Sequence, residues 1–459
     1  MPDRERQGPV DHTDPVGDSA PGDLDRVLSV DRDIVDDPYP VWKGLRERCP
    51  VFTEPRFNVV VVTRYDDIVD VARRTDDFTS ILAAYGPNAH DRGDIPARLC
   101  ALARTAGTAD APPSGWVQAL LDTYVPVLQD QLQHVDPPLH THHRRIVSRW
   151  FTPATVGSRE SHVRSIARSL IARFDDGGRV EMLDAFAGPF PATVVADTIG
   201  IPDEHRELFL DWKEEIIGNP EAEGSRSTSQ RYRQIRELFL TFIEARRHRP
   251  EDDLITTLVQ ARTPAGDLLD DTAILGLLML FLGGGQETTA KAITTGLRLM
   301  TEHPGLQDQL RADPARIPAF VEEVLRFDAP VRGIFRMARH DTTIGGTHVP
   351  EGSLVQIMWG SGNRDDAAFS HADTFDPERS MHRSLRDSGR APDRPMLSFG
   401  HGVHLCPGAP LARLQLRVAF EELLGSFSSL SLAPNNEFRY FRSQILRGLA
   451  GLWLDLEPA

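Results

Sequence analysis

Hydrophobic residues recur with helical spacing along most of the chain. Apolar positions three or four residues apart predict helices over 65–75, 140–150, 158–174, 203–217, 228–248, 271–302, 314–327 and 408–425. Strand-like runs are fewer: residues 58–63 form a β-branched run, and residues 353–359 and 451–456 alternate in part. The pattern predicts a mainly α protein with small β-sheets, built as a single large domain.

The longest predicted helix covers residues 271–302. It would be about 48 Å long at 1.5 Å per residue, so its centre should be buried. That centre reads FLGGGQETTA (281–290), in which each glycine costs about 1 kcal/mol relative to alanine. A buried carboxylate such as Glu287 is expensive unless it is paired or functional. The residues alone leave two interpretations open: a functional cluster at Glu287 and Thr288, or a kinked helix whose threonine bonds the preceding turn.

The apolar run inside this helix, residues 274–285, covers only 12 residues. A membrane span needs about 20, so we expect a buried core helix and a cytoplasmic protein. Residues 1–24 are acidic and lack an apolar core, which predicts a disordered tail and a folded domain over 25–459.

The charge and the cysteine content argue against several classes of protein. A formal net charge of −16 argues against nucleic-acid binding and against anionic membranes. The three cysteines, Cys49, Cys100 and Cys406, are widely spaced, which argues against a disulfide framework and for a reducing compartment.

The third cysteine lies in a glycine-rich loop, SFGHGVHLCPGAPLAR (398–413). Gly400 and Gly402 allow a tight backbone there. The amides at the start of the following helix favour a thiolate over a thiol. From the residues alone, Cys406 could be a metal ligand, a small buried hydrophobe, or a nucleophile paired with His404. A zinc site would need more ligands than the loop offers.

Four motifs in this order resemble the cytochrome P-450 superfamily. FGHGVHLCPG (399–408) matches its haem signature, Phe-Gly-x-Gly-x-His-x-Cys-x-Gly, at every fixed position. GGQETT (284–289), EEVLR (322–326) and FDPER (375–379) resemble its central-helix, Glu-x-x-Arg and meander motifs. The resemblance extends from about residue 35 to the C-terminus and is typical of the soluble bacterial branch. It implies the P-450 fold, with haem between the long central helix and the cysteine-loop helix.

The resemblance assigns roles around the iron. It makes Cys406 the thiolate axial ligand of a haem b, the metal site of the protein, where a thiolate favours O–O cleavage. Phe399 belongs to the same haem-binding loop. Gly284 and Gly285 become the bare backbone that leaves room for porphyrin and dioxygen. Glu287 and Thr288 become the catalytic pair that delivers protons.

Haem also carries two propionates that need cationic or donor partners. DPPLHTHHRR (136–145) resembles the family's Asp-Pro-Pro-Glu-His-Thr-Arg-x-Arg, which implies that His140 and Arg144 bind the propionates. Arg336 and His404 correspond to the other usual partners. The alternative for the histidines is a solvated helix start or a fortuitous metal cluster.

The family's structural triad maps onto Glu323, Arg326 and Arg379. The first two are about one helical turn apart, which permits an ion pair, and an arginine of the meander completes it. An exposed surface pair, worth little, is the alternative.

The function expected is a haem-dependent monooxygenase that inserts one oxygen atom from O2 into a small, largely apolar substrate in bacterial secondary metabolism or catabolism. A haem-thiolate enzyme for oxidative coupling or peroxide-driven oxidation is the alternative, followed by a haem sensor and a cysteine hydrolase. We expect a monomer that receives electrons from a ferredoxin and its NAD(P)H-dependent reductase. The substrate pocket should draw on residues 80–134, 186–232 and 331–335 and on the centre of the 271–302 helix.

Overall fold

The structure is a computed structural model that describes residues 27–28, 31–54, 58–80, 131–210, 225–382, 394–434 and 436–459. The predicted tail over 1–24 and most of the 80–134 stretch lie outside these residues. Part of the predicted 203–217 helix also lies outside them.

Helices dominate the part of the chain that the structure describes. In chain order they are α1 (Arg32–Asp36), α2 (Tyr39–Arg48), α3 (Tyr65–Arg73), α4 (Leu139–Ser148), α5 (Pro153–Ser158), α6 (Glu160–Ile171), α7 (Pro189–Ile199), α8 (Arg206–Leu210), α9 (Ser225–His248), α10 (Leu254–Gln260), α11 (Asp271–Glu302), α12 (Leu306–Ala312), α13 (Ile317–Phe327), α14 (Trp359–Gly362), α15 (Arg379–His382) and α16 (Ala409–Ser426). Short 3-10 turns precede α8 and α13 and follow α4.

The strands form small sheets. They are β1 (Val51–Glu54), β2 (Val59–Val62), β3 (Phe78–Thr79), β4 (Gly178–Glu181), β5 (Ile334–Ala338), β6 (Thr342–Ile344), β7 (Thr347–Val349), β8 (Leu354–Ile357), β9 (Phe427–Leu432) and β10 (Trp453–Pro458). One sheet has the order β1-β2-β8-β5-β3, in which only β2 and β8 pair in parallel. The others are β4-β10-β9 and the β6-β7 hairpin. The mainly α prediction with small β-sheets is confirmed.

The central helix α11 runs without interruption from Asp271 to Glu302. Its first turn is capped by Asp270, whose side chain accepts a hydrogen bond from the Ala273 amide. By length and composition alone this helix could cross a membrane, yet 61% of its most apolar window is buried inside the fold. A helix enclosed by protein in this way is a core element.

Close packing surrounds α11 on two sides. A Cβ added at Gly296 would lie 3.0 Å from Cε1 of the Phe420 ring, so the missing side chain lets α11 and α16 approach. A Cβ at Gly285 would lie 2.7 Å from Val195 Cγ2 on α7. Helix α11 therefore lies between the helix that follows Cys406 and the helix α7, as a central rod should.

Candidate haem site

The loop that carries Cys406 is closed by its own backbone. The Cys406 amide donates to the Phe399 carbonyl at 2.8 Å, and the Gly400 amide donates to Leu397 at 2.8 Å. Gly400 and Gly402 have φ values of +76° and +71°, a region that L-residues rarely adopt. The signature glycines thus permit the turn that presents the sulfur.

The sulfur lies at the start of α16. The backbone amides of Gly408 and Ala409 donate hydrogen bonds to the Cys406 sulfur and, with the charge of Arg144, act to lower the pKa of the thiol. Burial acts in the opposite direction and is larger, so the pKa of Cys406 is raised. The helix-start amides act as the sequence predicted, but they do not outweigh burial. A cationic metal centre beside the sulfur would favour the thiolate.

Helix α4 meets the cysteine loop through two predicted residues. Arg144 donates to the carbonyl of Leu405, the residue before the cysteine. The rings of His140 and His404 lie 4.3 Å apart, centroid to centroid. The structure therefore brings His140, Arg144 and His404 together beside Cys406, although they come from sequence positions about 260 residues apart.

Arg336, on β5, belongs to the same electrostatic cluster. Its guanidinium is buried and donates to the carbonyl of Phe335 at 2.8 Å. Burial lowers its pKa to about 10. Burial and the charge of Arg336 lower the pKa of His404 to about 2, while burial and Arg144 lower that of His140 to about 4. The positive charges of Arg336 and Arg144 thus make the neighbouring imidazoles harder to protonate.

One member of this cluster, His134, was not predicted from the sequence. The residue is buried, and burial together with Arg336 lowers the pKa of its imidazole to about 3. No motif marks it, because it stands before the family resemblance over 136–145 begins. Only its burial beside Arg336 shows the connection.

The cluster has more donors than acceptors. Asp136 is the carboxylate that acts on Arg336 and His140, and it already accepts hydrogen bonds from Arg339, Thr79 and the Ser80 amide. Among the described residues, His140 Nε2 is buried without a hydrogen-bond partner. A buried ring nitrogen without a partner is costly, and together with the neighbouring arginines it suits an anionic ligand. A haem with two propionates fits these residues, and the sulfur of Cys406 fits its iron.

The second haem-side feature is the buried triad. Arg326 Nε and Nη2 donate to the two oxygens of Glu323 at 2.8 and 2.7 Å, and Arg379 Nε lies 3.1 Å from Glu323 Oε2. All three side chains are buried. The arrangement matches the predicted core pair and its meander arginine, and excludes the exposed surface pair.

Each of the two interpretations that the sequence left open applies in part to the centre of α11. Thr288 Oγ1 donates to the Gly284 carbonyl at 2.8 Å, which is the back-bonded threonine of the simpler interpretation. The helix is nevertheless continuous. Gly284 is exposed in the middle of this largely buried helix, and among the described residues an added Cβ would meet only Leu280 Cδ1, at 3.9 Å. Open space therefore lies beside Gly284 and one turn before Thr288.

Gly285 has a different role from the one expected. Its missing Cβ would point at Val195 of α7, 2.7 Å from a methyl group, and not into open space. The expectation that both glycines make room for porphyrin and dioxygen therefore needs correction for Gly285, which is required by helix packing. Gly284 remains as the candidate haem-facing glycine.

Glu287 is paired in this structure. Its Oε1 lies 2.9 Å from Nζ of Lys291, one helical turn further along α11. Both side chains are largely buried, with 14% and 8% of their surface exposed. The sequence predicted that Glu287 delivers protons, and Lys291 was not predicted as its partner.

Comparison with known proteins relates the chain to one family. The family model described as Cytochrome P450 matches residues 221–444. The chain is 32% identical to the erythromycin C-12 hydroxylase of Saccharopolyspora erythraea over 94% of its own length and 95% of the relative's. It is 30% identical to the cyclomarin C epoxidase CymV of Salinispora arenicola, over 85% and 89% of the two chains.

A solved P450 structure resembles this chain in its fold. A mutant of P450 EryK in complex with erythromycin B superposes with a TM-score of 0.73 and 32% identity, over 92% of this chain and 97% of that one. Sequence similarity over nearly the whole length, the shared fold and the loop around Cys406 agree: this chain belongs to the cytochrome P450 family.

Proposed function

We propose that the protein is a haem-thiolate monooxygenase that transfers one oxygen atom from O2 to a small organic substrate by hydroxylation or epoxidation. The observation that carries the proposal is the Cys406 sulfur, which two helix-start amides hold beside Arg144, the buried Arg336 and the imidazoles of His140 and His404, a group that suits an anion. The erythromycin C-12 hydroxylase and the cyclomarin C epoxidase among its relatives support this reaction class.

Five residues of the cluster would hold the cofactor, a haem b. The Cys406 sulfur would bind the iron, and His140, Arg144, Arg336 and His404 would bind the propionates through charge-assisted hydrogen bonds. When bound, the haem supplies the activation of O2, which an electron-rich thiolate ligand favours. The amides of Gly408 and Ala409 keep part of the sulfur's charge in hydrogen bonds and so tune its donor strength.

Thr288 and Glu287, at the centre of α11, would handle the protons. The reaction consumes O2, two electrons and two protons, and yields a hydroxylated product and water. The Thr288 hydroxyl already donates to the Gly284 carbonyl, and its oxygen keeps lone pairs that can accept a hydrogen bond from water beside Gly284. Glu287 is the nearest carboxylate along α11 and can exchange protons with that water.

Phe399 and Gly284 complete the proposed cofactor contacts. The Phe399 ring lies 4.5 Å from the guanidinium of Arg413, and the Phe399 carbonyl accepts a hydrogen bond from the Cys406 amide, so Phe399 fixes the loop. Gly284 leaves the space in which porphyrin and dioxygen would fit.

The electrons would come from a ferredoxin and its NAD(P)H-dependent reductase, with the P450 acting as a cytoplasmic monomer. The largely buried α11 and the acidic net charge support a protein that works away from membranes. Within the small organic molecules, the substrate class that we favour is a mostly apolar scaffold such as a macrolide, because a relative hydroxylates erythromycin and a structural neighbour binds erythromycin B.

The proposal is tested with purified protein, a plant-type ferredoxin, its reductase and NADPH. Erythromycin B and a panel of steroids and polyketides are incubated under isotopically labelled O2, and products are analysed by mass spectrometry. We expect one labelled oxygen atom per product molecule, and water as the other product. Turnover with hydrogen peroxide but not with NADPH and O2 would support the peroxide-driven alternative instead. A colourless protein that binds no haem would refute the proposal.

A further inference from the structure

Lys291 is a buried lysine on the central helix α11. It is one of three lysines in the chain, and it lies 6% exposed on α11, one turn after Glu287. A buried ammonium is costly unless it has a partner of opposite charge. The partner is Glu287, at 2.9 Å from Nζ to Oε1. Glutamate before lysine at this spacing is also the favourable order on a helix.

A turn near the C-terminus is shaped around this lysine. The Phe441 ring centroid lies 4.5 Å from Lys291 Nζ, a distance that suits a cation–π contact. Gly448 faces the stem: an added Cβ would come within 2.5 Å of Lys291 Cβ and 2.7 Å of Cδ. Phe441 and Gly448 are joined by a backbone hydrogen bond of 2.9 Å. The ring and the missing side chain therefore hold the lysine in one conformation.

A purely structural ion pair does not account for this arrangement well. Well-packed apolar residues usually stabilise a core as much as a buried ion pair does. The pair instead includes the carboxylate that lies next to Thr288, at the centre of the proposed proton route. The lysine thus sets the position of the Glu287 carboxylate, and Phe441 and Gly448 in turn set the position of the lysine.

We propose that Lys291 is a positioning residue for proton delivery: it holds the Glu287 carboxylate in place, so that the carboxylate can take a proton from solvent and pass it towards the Thr288 side of α11. This inference rests on the proposed function. In the overall reaction NADPH, a proton, O2 and substrate give NADP⁺, hydroxylated product and water, so each turnover draws protons from solvent.

The test compares Lys291→Met, Glu287→Gln and the double variant, with Lys43→Met as the control. Lys43 forms an ion pair with Asp373 at 2.9 Å, but its side chain is 45% exposed and distant in sequence from α11. The holoenzyme is supplied with ferredoxin, reductase and NADPH, without added organic substrate. Under these conditions O2 is reduced to peroxide or water, and NADPH supplies the electrons. The rate of oxygen consumption is measured in H2O and in D2O.

We expect Lys291→Met to slow oxygen consumption about tenfold, a modest share of what general acid–base catalysis contributes, and to raise the solvent deuterium isotope effect. The double variant should match Glu287→Gln, because the lysine acts through the carboxylate. The haem spectrum and the rate of haem reduction by dithionite should not change. Urea unfolding of the wild type, Lys291→Met, Glu287→Gln and the double variant should show that the midpoint shifts of the two single substitutions do not add up to that of the double variant.

Three results would overturn the inference. The first is a Lys291→Met enzyme with the wild-type rate and isotope effect. The second is a double variant that consumes oxygen more slowly than Glu287→Gln does, by the same factor by which Lys291→Met slows the wild-type enzyme. The third is loss of the haem-thiolate spectrum in Lys291→Met, which would make the lysine merely structural. A wild-type protein without that spectrum would instead refute the proposed function.

Discussion

Removing the Glu323 carboxylate should cost more stability than any surface change, because two buried arginines depend on it. Glu323 accepts from Arg326 at 2.7 and 2.8 Å, from Arg379 at 3.1 Å, and from the Asp376 amide at 2.9 Å. Arg326 and Glu323 are each 2% exposed. Arg326 also donates to the carbonyls of Asn363 and Ala372 at 2.8 Å, so its hydrogen bonds would survive in part, but its charge would not be compensated.

The magnitude follows from that residual charge. Removing one partner of a buried ion pair costs about 3–5 kcal/mol, and we expect Glu323→Ala to lie at the upper end, since it also frees the Asp376 amide. Glu323→Gln keeps one acceptor oxygen and nearly the same shape, so we expect about 2–3 kcal/mol. Both should loosen the segment around Arg379 that leads towards the cysteine loop.

The assay is urea unfolding followed by far-UV circular dichroism and, in parallel, by haem absorbance. The control is Asp455→Asn, which breaks an equally bidentate pair with Arg179 on the protein surface. We expect the control to unfold at the wild-type urea concentration. A Glu323→Gln protein that also unfolds there would refute the reasoning, because it would show that the buried charge contributes nothing.

The remaining predictions concern α11 and one pH-dependent pair. In the haem-free protein, Gly284→Ala should stabilise the fold by up to about 1 kcal/mol, because alanine favours helix and the added methyl meets no side-chain atom of the described residues closer than 3.9 Å. Gly285→Ala should destabilise it by about 1–3 kcal/mol, because the methyl meets Val195. Urea unfolding midpoints of the haem-free variants, shifted in opposite directions, check this. Thr288→Ala should keep the haem spectrum but release more hydrogen peroxide per NADPH consumed, and unchanged coupling of NADPH to product would remove Thr288 from the mechanism. Hydrogen bonds from Arg417 and Arg164 lower the pKa of Glu160 to about 2, so its contribution to stability is present above its unfolded pKa of about 4.5 and is lost as pH falls towards 2. The difference in unfolding midpoint between wild type and Glu160→Gln should therefore narrow between pH 6 and pH 3.5, and a constant difference would contradict the assignment.

Much of the helical framework could be predicted from the sequence, because amphipathic spacing marks a helix with one buried face. The 271–302 prediction coincides with α11, and 408–425 differs from α16 by one residue at each end. Helix α7 was not predicted, since its sequence PFPATVVADTI is apolar on nearly every side and shows no period. Strand β1 pairs with β2 across a short connection, and neither its length nor its composition sets it apart from a loop.

The candidate site was predictable where a motif carries it. The triad and the residues around Cys406 follow from short signatures whose spacing reflects a loop or one helical turn. Sequence could not predict that Gly285 packs against Val195, because that contact joins α11 to α7. The Lys291 partner of Glu287 was visible as a glutamate–lysine spacing on a predicted helix, but the burial that makes the pair significant was not.

The central claim is that the Cys406 sulfur is the haem ligand, and it is tested most directly by the absorbance of the reduced, CO-bound protein. Wild type should show the red-shifted Soret band of a haem-thiolate protein. Cys49→Ser should show the same band, because Cys49 lies at the end of α2 and does not belong to the haem-binding loop. Cys406→Ser should lose the band, and its persistence in that variant would contradict the account.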